Sequence, residues 1–371
     1  MTGTLASLTK TPIASRKKVL ELRFVASNKK VLVTLLQMFQ QYMSPYKSNG
    51  TNVLANVVLG VRQNDYMSGL DDLSTAIDAF VQQAQNSTAE VSVSPATISD
   101  QKLVADVRMT NKTGHRFPSG VGFRRAFLEF RVVDNDSGKT VWCSGCTNEL
   151  GVIVKGNERL ASELFDVYTD GTKPASLGYP AACNKPVAGV SPQHYQPHYF
   201  WDPQKNTGSL ITREDQVQIY EELNLDIQCG MTTSFLRRDY QLKDNRLLPF
   251  GWTSTGPLNA DKTPYIPADY LHETFPVAVG GDPAYADGSG TNVVRYQIPL
   301  SAFTSKNVTV TATLYYQSIP PYFLRDRFSQ APNEPATQRL YYLTSNLQTK
   351  GTPIEDWKFQ IASATQEVAV R

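Results

Sequence analysis

One histidine of this chain lies in a segment whose residue types can present it to a metal ion. His115 stands in the run TGHRFPSGVGFRRAF, residues 113–127, just after Gly114 and shortly before Pro118. Glycine and proline on either side of an imidazole indicate a loop that enters a strand, and such a loop can offer a neutral ring nitrogen as a ligand. The alternative is a loop histidine that only forms hydrogen bonds.

The same run ends with two adjacent arginines, Arg124 and Arg125. Guanidinium groups bind carboxylates through two parallel hydrogen bonds, and the propionates of a haem are carboxylates. Such a pair can therefore bind haem propionates or other carboxylates. The alternative is a solvated pair at the edge of a sheet.

A second pair of histidines, His194 and His198, is four residues apart. On a helix this spacing would allow both rings to hold one metal ion, but Pro192 and Pro197 favour an extended or turn conformation. No glutamate follows the first histidine as it does in zinc proteases, so a polar, aromatic loop is the preferred interpretation.

Two cysteines stand at the spacing that attaches a c-type haem, but the histidine that must follow them is missing. The segment is Cys143-Ser144-Gly145-Cys146-Thr147, with threonine in the place of the axial ligand. We predict no covalently attached haem. A structural disulfide or a simple turn is favoured over redox catalysis, because the pair ends a β-strand, and a zinc site with distant ligands remains an alternative.

An acidic, glycine-rich segment around Asp282 and Asp287 offers oxygen ligands for calcium. Its spacing does not match the EF-hand pattern, and an Asx turn is the alternative. The sequence contains no Gly-x-Ser-x-Gly elbow and no phosphate-binding glycine loop with lysine, so we favour a non-enzymatic role.

Composition excludes several classes of protein. The chain has 371 residues, 36 basic and 34 acidic side chains and a net charge of +2, which argues against binding to nucleic acid through a broad basic surface. No apolar stretch approaches the length that spans a bilayer, and the polar N-terminus shows no secretory signal.

The first 87 residues are predicted to be helical. An apolar face that begins after Asn28 and ends before Pro45 repeats at three and four residues, and a second helix follows a capping pattern at Ser68 and Asp71. Leu73 and Ile77 start the apolar face of this second helix.

From residue 88 onward the apolar residues alternate, which is typical of strands. Alternation is clear over residues 103–109, 126–132, 293–298 and 308–316, while residues 156–267 are rich in turn formers and are predicted to be long loops. We predict a mainly β protein: an antiparallel, Ig-like β-sandwich with long inserted loops and a C-terminal helix (residues 88–371), preceded by an N-terminal helical segment (residues 1–87).

Several segments, taken in order, resemble the haem-free β domain at the C-terminal end of certain bacterial multihaem c-type cytochromes. The resemblance runs from about residue 24 to 328. It rests on the segments 59–67, 110–127, 147–153, 215–221, 232–235, 243–249, 287–290 and 315–322. The chain departs from the family in lacking every Cys-x-x-Cys-His motif.

The resemblance implies an accessory domain of an electron-transfer system that contacts a haem-bearing multihaem cytochrome subunit or domain. It makes His115 and His198 candidate distal ligands or haem-edge contacts, with Arg124 and Arg125 ordering the site. It also implies a periplasmic or extracellular location and a disulfide between Cys143 and Cys146 that is specific to this lineage.

Two other functions remain as alternatives. One is a metal-dependent redox protein built on His115, His194, His198 and the cysteine pair. The other is a sandwich that binds carbohydrate or another surface through the aromatic residues at 195 and 199–201.

Overall fold

The structure is a computed structural model that describes residues 47–48, 51–52, 73–160, 163, 209–227 and 231–370. The chain divides into two compact units. One comprises Met1–Asn86 and Ala331–Pro353, and the other comprises Ser87–Gln330 and Ile354–Arg371. The predicted division after residue 87 stays a prediction, and the helix near the C-terminus belongs to the first of these units.

The described helices are α1 (Leu73–Ser87), α2 (Ala268–His272), α3 (Pro321–Gln330) and α4 (Pro335–Asn346). The described strands are β1 (Lys47–Ser48), β2 (Thr51–Asn52), β3 (Ala89–Val93), β4 (Thr97–Ser99), β5 (Lys102–Asn111), β6 (Arg125–Asp134), β7 (Thr140–Ser144), β8 (Val154–Lys155), β9 (Glu158–Arg159), β10 (Ser209–Ile211), β11 (Ile219–Asp226), β12 (Met231–Thr232), β13 (Arg238–Asp244), β14 (Thr291–Pro299), β15 (Asn307–Gln317) and β16 (Phe359–Ala369).

The first unit contains the small hairpin β1–β2 and the helices α1 and α4. In α1, Ile77 and Ala84 are buried, seven residues apart on the apolar face that the sequence predicts. The helix predicted after Asn28 and the cap predicted at Ser68 lie outside the described residues.

The second unit is built on two sheets. One sheet has the strand order β10-β14-β5-β3, with β4 beside β5, and the other has the order β12-β11-β6-β15-β16, with β13 beside β11 and β7 beside β6. Among these described strands every pairing is antiparallel except that of β10 with β14. The predicted mainly β, antiparallel sandwich is confirmed.

Aromatic side chains join the two layers. The ring of Phe130 on β6 stacks on that of Tyr296 on β14 with centroids 4.0 Å apart, and Trp142 on β7 meets Tyr296 edge-on at 6.0 Å. The Tyr220 hydroxyl on β11 donates to Asn292 Oδ1 on β14 over 2.9 Å. The inward positions of alternating strands therefore form one core, as expected for a sandwich.

The outer face of β6 is buried as well. Phe127 packs with Ile153, Leu160, Val217 and Ile219, which belong to the segments that cover this face. Glu129 lies on the same face of β6 as Phe127, and only 5% of it is exposed. The Lys358 ammonium and the sulfurs of the nearby cysteines lie against its carboxylate.

Five described strands, β9 to β13, lie in the stretch that the sequence predicts to be long loops, and β11 and β13 are the longest of them. All residues of β11 are buried, so the alternation of polar and apolar residues that marks a half-exposed strand is absent. The carboxylate of Glu221 pairs with Lys243 over 2.9 Å, and that of Glu222 pairs with Arg238 over 2.8 Å. Ion pairs between neighbouring strands compensate for the cost of burying these carboxylates. The sequence pattern does not show which residues form such pairs.

Asp134, at the end of β6, makes the stability of the fold depend on pH. Its carboxylate accepts hydrogen bonds from the Ser305 hydroxyl, the Ser137 backbone NH and the Thr304 hydroxyl, and these bonds hold its pKa well below the usual range. A carboxylate with a lowered pKa in the folded state adds stability above its unfolded pKa of about 3.9, and this contribution is lost as the pH falls further through the folded value.

We expect Asp134→Asn to lower the denaturation midpoint at pH 7, and the difference from the wild type to shrink steadily below about pH 4. Chemical denaturation at several pH values between 7 and 2.5 measures this. A difference that is constant across the whole range would show that the charge of Asp134 is not what its partners stabilise.

Candidate functional site

The loop that carries His115 is fixed by Asn111, the last residue of β5. The Asn111 side-chain amide lies 2.8 Å from His115 O and 3.1 Å from both Leu247 O and Leu248 O. Its carbonyl oxygen accepts from the backbone NH of Thr113 over 2.9 Å, which closes an Asx turn. Since Asn111 is 3% exposed, these bonds are shielded from water and hold the loop against the 247–248 segment.

The residues after His115 are anchored equally firmly. Phe117 is completely buried, and its backbone exchanges two hydrogen bonds with Leu247, of 2.9 and 2.8 Å. The Arg116 guanidinium forms an ion pair with Asp244, whose side chain is fully buried. Burial lowers the pKa of Arg116, and the neighbouring Asp244 carboxylate opposes that shift.

His115 itself is exposed, and one of its ring nitrogens is already engaged. Nδ1 lies 2.9 Å from the backbone oxygen of Arg116 and 3.3 Å from Thr113 Oγ1, whose own hydrogen is donated to Asn111 Oδ1 at 2.7 Å. Because a carbonyl oxygen only accepts hydrogen bonds, a neutral imidazole in this geometry carries its hydrogen on Nδ1 and its free lone pair on Nε2. Within the part of the chain that the structure describes, nothing hydrogen-bonds to Nε2. A metal-binding histidine typically has this arrangement, with the second nitrogen held by a carbonyl.

Arg124 is a buried cation for which the described residues provide no carboxylate. It is 2% exposed, Nη1 donates to Ser119 O over 3.0 Å, and Nε has no hydrogen-bond partner. Burial lowers its pKa, and the Tyr316 phenol opposes the shift. A buried guanidinium without an acid is costly, and a carboxylate ligand would compensate for that cost.

The adjacent Arg125 has a different environment. Its guanidinium forms two hydrogen bonds with Glu163, of 2.8 and 3.1 Å, while Nε donates to Gln317 over 2.7 Å. Both charged side chains are 1% exposed. The donors of Arg125 are therefore used within the fold, and neither arginine is a solvated residue at a sheet edge.

Cys143 and Cys146 are joined by a disulfide, with their Cα atoms 5.9 Å apart. A bond that closes so short a loop removes little entropy from the unfolded chain, and this effect stabilises the fold by about 2 kcal/mol. With both sulfurs bonded to each other, neither is free to form a thioether with a haem. Among the described residues, the side chain that forms a group of three potential metal ligands with this pair is Glu129, and His115 does not belong to that group.

Asp282 and Asp287 each accept hydrogen bonds from their own loop. Asp282 caps a short 3₁₀ turn by accepting from Ala284 N over 3.0 Å and also accepts from Asn292 Nδ2, while Asp287 accepts from Ser289 N over 2.8 Å. Neither belongs to a group of three metal-ligand side chains among the described residues. Calcium binding here stays a prediction.

Several predicted site residues lie outside the described residues: His194, His198, Tyr195, Tyr199, Phe200 and Trp201, together with Cys183 and Cys229. Their roles stay predictions. No described helix is long and apolar enough to cross a membrane.

Sequence reasoning missed three residues that shape the site, namely Asn111, Asp244 and Glu163. Only Asn111 had a usable signal, because asparagine two residues before threonine at the end of an alternating strand is typical of an Asx turn. Asp244 and Glu163 act through partners 128 and 38 residues away in sequence, which no local pattern indicates.

The described fold and loop define a class: a β-sandwich that presents one exposed histidine from an anchored loop. No family model matches the chain, and no curated protein matches it either. Among solved structures, it is similar to the crystal structure of a penta-heme cytochrome c552 from Thermochromatium tepidum, with 13% sequence identity and a TM-score of 0.36 over 81% of this chain. The chain spans 44% of the length of that cytochrome.

Proposed function

We propose that this chain is a non-enzymatic accessory domain of a multihaem cytochrome electron-transfer system. In this proposal it docks on a haem-bearing partner, and His115 supplies an axial nitrogen or a haem-edge contact. The observation that carries the proposal is the hydrogen bond from His115 Nδ1 to Arg116 O, which leaves Nε2 open at the surface.

Loop rigidity supports this role for His115. A ligand from a partner protein binds with the least loss of entropy when its ring is already oriented, and Asn111 and Phe117 fix the loop on both sides. The order of motifs shared with the C-terminal domain of multihaem cytochromes supports the choice of a haem-bearing partner.

Arg124 has a positioning role in the proposal, because its guanidinium is 2% exposed and donates to Ser119 O in the loop that follows His115. Arg125 has no part in the proposal, since Glu163 and Gln317 already occupy its donors. His198 remains a candidate second ligand. A periplasmic or extracellular location is also part of the proposal, supported by the disulfide.

We expect His115→Ala to weaken binding to a haem peptide with one open axial position by at least about tenfold, because the variant lacks the coordinating nitrogen. Titration followed by the Soret band measures this, since a nitrogen ligand converts the haem to its low-spin spectrum. His272→Ala is the matched control, because this histidine is also exposed but lies on α2.

The second measurement uses the full chain purified from its native host. Wild-type protein is expected to copurify with a haem-bearing protein, and the His115→Ala protein is expected to lose that haem's low-spin features. If the substitution leaves the partner's haem spectrum and the mass of the complex unchanged, the proposal is wrong.

A further inference from the structure

The disulfide lies beside a buried carboxylate. One carboxylate oxygen of Glu129 and the sulfurs of Cys143 and Cys146 all lie within 4.8 Å of one another. Glu129 is 5% exposed and Cys143 is 8% exposed, whereas Cys146 is half-buried. Two sulfurs and one oxygen at this separation would form a ligand set once the disulfide is reduced, and the proposed docking role does not use it.

The backbone holds these three residues together whether or not the sulfurs are bonded. β7 pairs with β6 so that Cys143 faces Arg131, two residues from Glu129 on the same strand. Gly145, between the cysteines, has φ +80°, and a Cβ there would lie 2.4 Å from Leu128 O. The turn therefore packs directly on β6, and it should keep the two sulfurs near Glu129 after reduction.

Charge around the group favours a bound metal cation. Lys358 Nζ lies 3.0 Å from Glu129 Oε2, and Arg131 Nη2 lies 2.9 Å from Glu129 Oε1. Glu214 Oε1 also accepts from Cys143 N over 2.9 Å, so these two cations, the two carboxylates and two cysteine thiolates leave two net negative charges. Glu129 Oε1 accepts from both Arg131 Nε and Nη2, so Oε2 is the carboxylate oxygen with a lone pair left for a metal. Thiolates select soft cations such as Cu(I).

We propose that the reduced Cys143–Cys146 pair and Glu129 bind Cu(I), and that the disulfide is the oxidised, metal-free state of the same site. A dithiol reductant supplies the two electrons. Its thiolate attacks the more exposed sulfur of Cys146, the S–S bond breaks and the Cys143 thiolate leaves. The second thiol of the reductant then releases Cys146, so the products are two cysteine thiols and the oxidised reductant. Binding of Cu(I) by both sulfurs releases their two protons.

The test is a competition for Cu(I) with a chromophoric Cu(I) chelator, using the full chain with Cys183→Ser and Cys229→Ser. In this background the only thiols are those of Cys143 and Cys146. The reduced protein is expected to withdraw one Cu(I) from the chelator, and the oxidised protein none. Cys143→Ser or Cys146→Ser should weaken binding at least about a hundredfold, and Glu129→Gln about tenfold. Zn(II) should bind more weakly than Cu(I).

Circular dichroism checks that each variant keeps the sandwich, and alkylation of the reduced parent protein removes both thiol ligands without a substitution. The proposal is overturned if reduced and oxidised proteins compete equally, if binding survives loss or alkylation of the thiols, if Glu129→Gln binds as tightly as the parent, or if Zn(II) binds and Cu(I) does not. None of these results depends on the His115 assay, so the two proposals fail separately.

Discussion

Arg125→Ala should lower the free energy of unfolding by about 3–5 kcal/mol, because it leaves the Glu163 carboxylate buried without its cation. The two side chains are 1% exposed and are joined by two hydrogen bonds, of 2.8 and 3.1 Å. Glu163 Oε1 also accepts from Ile153 N over 3.0 Å, so the lost pair would disturb the segment that covers the outer face of β6. Equilibrium denaturation measures the loss.

An exposed arginine provides the control for Arg125→Ala, and a double substitution tests the contribution of the buried charges. Arg213→Ala removes an arginine whose side chain is 51% exposed and pairs with Asp215 at the surface, and it should change stability by less than about 1 kcal/mol. Arg125→Met combined with Glu163→Met should recover part of the loss, because it removes both buried charges but also removes the hydrogen-bond partners of Gln317 Oε1 and Ile153 N. A loss below about 1 kcal/mol for Arg125→Ala would contradict the structural role assigned here.

The strands of the sandwich could be predicted from the sequence wherever one face of the strand is exposed to solvent. Leu103 and Val107 on β5 are buried as their alternation predicts. On β11 the rule fails, because Glu221 and Glu222 are buried on opposite faces of one strand. Their partners come from β13, and sequence alone does not show which cations a strand will meet.

The candidate site also has features that the sequence predicts and features that depend on the folded structure. The type and setting of His115 could be predicted from the sequence, but which ring nitrogen is free could not, because this depends on the direction of the Arg116 carbonyl. Arg124 and Arg125 look equivalent in sequence. Their surroundings differ because consecutive residues of an extended chain point to opposite sides, and only one side offers a glutamate.

The second large effect is expected at Asp244, a fully buried carboxylate shared by two arginines. It pairs with Arg116 and, over 2.6 Å, with Arg246 Nη2. Burial lowers the pKa of Arg246, and the Asp244 carboxylate more than offsets this, so the pKa is raised overall. Asp244→Ala should cost about 3–5 kcal/mol of stability. Arg246 would keep Glu222 at 3.0 Å, so Arg116 becomes the cation without its close partner.

Asp244→Ala should also affect the orientation of the His115 ring. Arg116 follows His115 directly, and its carbonyl oxygen accepts the hydrogen bond from Nδ1. With Arg116 released, the imidazole samples more orientations, and we expect affinity for the open-site haem peptide to fall about three- to tenfold even where the protein remains folded. Asp215→Ala is the control, since it removes a carboxylate from an exposed pair. If Asp244→Ala lowers stability as expected but leaves haem-peptide affinity unchanged, the ion pair supports the fold alone, and the orientation of His115 depends on Asn111 and Phe117 instead.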